Sequence, residues 1–115
     1  MAVCIVATDP EGGLVVCHED TWTEHIVAEH AEMTNRMSWV EETIKEPLAI
    51  YASARDTNSK VFHRQYDFGA SLGNAMLRVV VRYKKKWVVG RTAGTIITAY
   101  AANGPKVGEV LIWPQ

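Results

Sequence analysis

At Pro47 the hydrophobic period of this chain changes from helical to extended, and that change restricts the fold more than any other feature. Upstream, Trp22, Ile26, His30, Met33 and Met37 recur at spacings of four, four, three and four, which is one face of an α-helix. Thr21 with Glu24 three residues later has the form of a capping box, so the helix is expected to open at Asp20 or Thr21. Asn35 is expected to interrupt it. A second helical segment from Ser38, with Glu41 again in the capping-box position, must stop near Glu46 because Pro47 disfavours helical geometry in the residue before it.

Downstream the pattern is that of strands. Leu48–Ser53 is short and apolar, and Arg55–Ser59 has turn composition. Lys60–Tyr66 alternates, with Phe62, Arg64 and Tyr66 on one face and Val61, His63 and Gln65 on the other. Asp67–Ala75 has two glycines and no period, so it is expected to be a loop. Met76–Tyr83 sets Arg78, Val80 and Arg82 against Val79, Val81 and Tyr83. Lys84, Lys85 and Lys86 are expected to cap that strand, with Trp87–Val89 returning before Gly90–Gly94. In the strand that follows, alternation puts Ile96, Thr98 and Tyr100 on one face and Thr95, Ile97 and Ala99 on the other. Glu109–Trp113 adds a short edge strand. Ahead of the helices, Val3–Thr8 and Leu14–Cys17 flank the turn-rich Asp9–Gly13 and read as a hairpin. The order predicts an α+β fold, an N-terminal hairpin and one or two helices packed on an antiparallel β-sheet, in a single domain over residues 1–115.

Charge divides at the same place. Residues 1–47 carry ten acids against two bases, and residues 48–115 carry ten bases against three acids, although the whole chain has a net charge of −1. The split implies one face for a polyanion, or attraction between the halves in the fold. No apolar run approaches the ~18–20 residues of a membrane helix, and the N-terminus lacks the basic region of a signal peptide. A cytoplasmic protein with no membrane partner is therefore expected, with Cys4 and Cys17 as buried thiols.

The residues able to do chemistry are few. His25 and His30 are five apart, a rotation of about 140° on a helix, so they do not form the i, i+4 pair of a zinc helix. No CxxC, GxGxxG, Walker loop or nucleophile-elbow serine is present, and neither a metal nor an organic cofactor is expected. A histidine on a buried stripe is more often a hydrogen-bonded core residue than a catalyst, and that alternative stands for His30. What remains is histidine on a helix, with arginine, threonine and tyrosine on a basic sheet. Metal-independent RNA cleavage uses such parts: an acid–base group, phosphate-matching guanidinium groups and donors for the charge on phosphorus.

Five pieces of sequence, in order, carry a resemblance. His25–Glu32, Glu42–Pro47, Val61–Arg64, Arg78–Val81 and Ile97–Tyr100 together resemble the phage and toxin branch of the barnase/EndoU/colicin/RelE-like nucleases. The resemblance implies helices on an antiparallel sheet and metal-independent ribonuclease activity by 2′-hydroxyl attack on the adjacent phosphate. It implies a catalytic set of His30, Arg64, Arg78, Thr98 and Tyr100, with His25, Arg82, Lys84, Lys85 and Lys86 binding substrate. It also implies RNA and an acidic immunity or antitoxin protein as partners. The chain departs from the pattern at Ala31, where a proline is usual, and over Lys84–Arg91, which is longer than a simple turn. Two other functions fit the same composition: a non-catalytic RNA- or protein-binding module, and a virion or prophage interaction protein contacted through the acidic helices.

Overall fold

The computed structural model describes residues 2–69, 71–88 and 91–114, with side chains described except at 85–88 and 91. The fold is α+β: helical segments pack on one face of a seven-stranded sheet. The strands are β1 (Val3–Thr8), β2 (Leu14–His18), β3 (Ala49–Ala52), β4 (Ser59–Asp67), β5 (Asn74–Val88), β6 (Arg91–Ala102) and β7 (Val110–Trp113). They lie in the order β1-β2-β6-β5-β4-β3-β7. Every pairing is antiparallel except β2 with β6, which run parallel over Leu14–Val16 and Ala93–Thr95. Among the described residues no helix is long and apolar enough to cross a membrane.

The helical region follows the expected order but differs in detail. Thr21–Val27 is wound as a π-helix, with ordinary helical turns at 19–20 and 28–29. The expected capping box does not form. Asp20 makes no side-chain cap, and Thr23 instead donates its hydroxyl to the Glu19 carbonyl at 3.0 Å. Trp22, Ile26 and Met33 are buried as the periodicity requires, whereas His30 leaves the stripe. Its backbone (φ −133°, ψ 80°) is no longer helical, and it starts the short 3₁₀ turn Ala31–Met33. The first helix thus ends at Glu29, ahead of the interruption expected at Asn35; Asn35, at φ 61°, lies in the turn before the next helix, in a left-handed geometry that asparagine tolerates better than most residues. Helix α1 (Met37–Lys45) opens one residue earlier than expected, without a side-chain cap, and ends before Pro47. It buries Val40, Thr43 and Ile44 against the sheet.

Two strand expectations are corrected. β5 already begins at Asn74 and runs through the three lysines to Val88, so these residues lie within one long hairpin arm. Trp87 and Val88, expected on the returning arm, therefore belong to the outgoing one, and the return begins at Arg91. The register with β6 shifts between Lys84 and Trp87, and Val89 and Gly90 lie outside the described residues. In β6 the alternation breaks once. Val80 pairs with Thr98 while Val81 pairs with Ile96, so Ile97 is an extra, bulged residue. The bulge puts Ile96 on the helix face with Ala99, both fully buried, and leaves Ile97 and Thr98 toward the other face.

Candidate functional site

The sheet face away from the helices carries the site. One cross-strand row is His63, Arg78 and Tyr100, from β4, β5 and β6. Cross-strand partners share a face, so this register alone brings an imidazole, a guanidinium and a phenol together. The connection from β6 to β7 has to pass over β5, β4 and β3, because β7 pairs beyond β3. As it crosses, it brings Lys106 and Glu109 down onto this row.

Arg78 is the anchor. It is 2% exposed and Glu109 5%, and the two form a two-point ion pair with both N–O distances at 2.7 Å. Its Nε donates to the Tyr100 oxygen at 3.1 Å, and its Nη1 also meets Nε2 of His63 at 3.1 Å and the Gly104 carbonyl at 3.4 Å. A charge so deeply buried survives because nearly every donor has an acceptor. Burial works against the charge on Arg78, yet the bonds to Glu109 and Tyr100 outweigh it and raise its pKa above the usual arginine value. The same pair holds the Glu109 carboxyl below its usual range. Burial opposes ionisation of the Tyr100 phenol too, but donors on Lys106 and Arg78 prevail and lower its pKa.

His63, 1% exposed, lies beneath with Tyr51 against its ring at 4.8 Å. Desolvation first, and then the Arg78 charge, depress its pKa to about 4, with Glu109 opposing. The unfolded chain therefore takes a proton near pH 6.5 that the folded chain refuses until about pH 4. Stability should be fully present above pH 6.5 and fall as the pH drops, by on the order of 3 kcal/mol once pH 4 is passed. Urea midpoints at pH 7 and pH 5 measure this slope. His63→Gln keeps an acceptor for Arg78 without the titration and should flatten it; an unchanged slope in that variant would assign the acid sensitivity elsewhere.

His30 arrives from the other side of the sheet, around an edge. β2 covers β6 only as far as Thr95, so beyond that residue the β6 edge takes the helical segment instead. Glu32 accepts the Ala101 backbone N–H at 3.1 Å and fastens the 3₁₀ turn to that edge. His30, two residues earlier, is thereby carried around to the far face, where its ring stacks on Tyr100 with centroids 5.0 Å apart and planes 25° apart. Its side chain remains 32% exposed, and its Nδ1 is 4.0 Å from Glu32 Oε2. A π-helical turn often marks a functional position, and here it ends three residues before this histidine.

These groups open into a cleft of ≈ 740 Å³, whose lining includes His30, Thr98, Tyr100, Arg78, Lys106 and Glu109. The Lys106 ammonium lies over the Tyr100 ring at 5.2 Å. At the other end stand Arg55 and Arg82, with the Arg82 Nε bonded to Asp56 Oδ2 at 3.0 Å. Among the described residues no group of three or more His, Cys, Asp and Glu side chains is arranged to hold a metal ion.

The structure thus brings together His30, Arg78, Thr98, Tyr100 and Arg82, but not Arg64. That arginine lies on the helix face, bonded to the Glu46 carbonyl and 3.5 Å from Glu42. His25 is also remote, exposed on the first helix and 3.7 Å from Glu29. Lys84 is exposed on β5, and the side chains of Lys85 and Lys86 lie outside the described residues. His63, Lys106, Glu109 and Asp56 are additions that periodicity did not single out. One signal was present: the basic half has three acids, and two of them, Asp56 and Glu109, pair with Arg82 and Arg78. Since Arg64 is separated from the cleft by the sheet, Arg64→Ala should leave any cleft-based activity within about twofold of the parent. A loss beyond tenfold without unfolding would move the site to the helix face.

No protein-family model, curated protein or solved structure matches the chain. What the cleft does has to be inferred from its own chemistry.

Proposed function

We propose that the chain is a metal-independent ribonuclease acting in this cleft. The observation that carries the reading is the accessible His30 imidazole stacked on Tyr100, whose oxygen is held by a buried guanidinium while cations line the cleft. The tyrosine oxygen accepts from Arg78, which leaves its own hydrogen free to be donated into the cleft. Neutral His30 takes the proton of a ribose 2′-hydroxyl, and the 2′-oxygen attacks the adjacent phosphorus. The bond from phosphorus to the 5′-oxygen breaks, and that oxygen leaves with the proton of Tyr100, giving a 2′,3′-cyclic phosphate and a 5′-hydroxyl. Lys106 neutralises charge on the phosphorane, and Thr98 lies one row along to position it.

Arg78 has a different role from the one expected of a phosphate ligand. Its donors are committed to Glu109, Tyr100 and His63, so it acts through Tyr100 as a positioning residue. An acidic immunity or antitoxin protein would complement the cationic rim and block the cleft.

Purified protein is expected to cleave RNA in excess EDTA, leaving 2′,3′-cyclic phosphate ends. Intact RNA with salt-sensitive binding would instead identify a binding module that lacks the chemical step. A requirement for divalent metal would overturn the mechanism.

A further inference from the structure

We infer that the floor of the cleft, between its His30–Tyr100 end and its Asp56–Arg82 end, is a subsite for one unpaired nucleobase. The inference rests on the RNA reading above and concerns which form of RNA enters. Three successive cross-strand rows define the floor: Arg78 with Tyr100, then Val61, Val80 and Thr98, then Ser59 with Arg82. Arg78 and Arg82 are four residues apart on one strand, so the polar ends are separated by ~13 Å. The surface between them is apolar, made by Val61, Val80 and the bulged Ile97, with Ala54 and Val107 at its sides.

This pattern selects the ligand. A bare polyphosphate would satisfy the two cationic ends and leave the apolar floor without a partner. A nucleotide unit presents anion, flat ring and anion in that order, which matches Lys106 at one end, the valines between, and Arg55 with Arg82 at the other. In an A-form duplex the ring faces are stacked and its edges paired, so no ring can lie on the floor. The ≈ 740 Å³ cleft falls within the range of small-molecule sites and suits a nucleotide. The bulge contributes directly, because regular alternation would have turned either Ile97 or Thr98 away from the cleft.

The test is binding by fluorescence anisotropy with 2′-fluoro RNA, which has no 2′-hydroxyl to attack. Three probes are compared: a single-stranded hexamer pool, the corresponding duplexes, and an abasic sugar–phosphate chain of equal charge. The single strand is expected to bind about tenfold tighter than the abasic chain, the scale of one stacked or buried base. It should also bind tighter than the duplex, although duplex charge density alone would favour the reverse. Val80→Asn, which sets an amide on the apolar floor from a half-buried position and offers no ring to stack on, should narrow the advantage of the single strand over the abasic chain to about twofold. Equal binding of single strand and abasic chain, tighter binding of duplex, or no binding of any probe would overturn the subsite. If the preference for bases holds while unmodified RNA stays uncut, the cleavage mechanism falls and the subsite stands.

Discussion

Replacing His30 with alanine is expected to lower the rate of RNA cleavage by about 10²–10⁴-fold, the usual contribution of a positioned acid–base group. The fold should survive, because the ring stacks on Tyr100 from the rim of the sheet and is 32% exposed, with no buried polar partner to strand. The alanine variant removes both the imidazole and the stacking contact, so a second variant separates them. His30→Phe retains an aromatic ring over Tyr100 but has no titratable nitrogen, and it should be as inactive as alanine. Single-turnover cleavage with a circular dichroism melt on each variant makes the measurement. Activity within tenfold of the parent in a folded His30→Phe protein would remove the histidine from proton transfer and leave it as a packing group.

Replacing Glu109 with alanine is expected to cost about 3–5 kcal/mol, the range for breaking a buried ion pair by deleting one partner. For a chain of this size that corresponds to a fall in melting temperature on the order of 15–25 °C. The loss comes mainly from Arg78, which keeps its charge in a 2%-exposed position with its strongest acceptor gone. Two further consequences follow from the geometry. The connection carrying Lys106 loses its tie to the sheet, since Glu109 Oε1 also accepts the Lys106 backbone N–H at 2.8 Å. Tyr100 loses the fixed guanidinium beneath its oxygen. The double variant Arg78→Met with Glu109→Leu buries no unpaired charge and should recover much of the stability, but not the cleavage. Thermal melts of the single and double variants decide the matter: a single variant melting within 2 °C of the parent would show that the pair does not hold the connection down.

Much of this architecture is legible in local pattern. The start of the second helix near Ser38, its stop before Pro47 and the strand alternation of Val61–Gln65 against Phe62–Tyr66 each depend on a few neighbouring residues, and each stands in the structure. Thr98 and Tyr100 do share a face. What local pattern missed has a common cause. Arg64 and Arg78 look alike as strand arginines in a basic half, yet β4 and β5 pair so that Arg64 opposes Leu77 and His63 opposes Arg78. A shift of one residue would exchange them. Local periodicity put His30 on the buried stripe of a helix, and only the resemblance set it beside Thr98 and Tyr100, because its exit to the cleft depends on an open β6 edge created by the short β2.

The amino-acid order by itself determined the class of the fold, the succession of its elements and which strand positions could share a face, because propensity and periodicity act over a few residues. The tertiary structure decided which of those faces meet. The parallel docking of β2 on β6, the bulge at Ile97 and the passage of the last connection over the sheet are set by packing between residues distant in the chain. Those long-range choices put a histidine from residue 30 against a tyrosine from residue 100, and a carboxylate from residue 109 against the guanidinium beneath it.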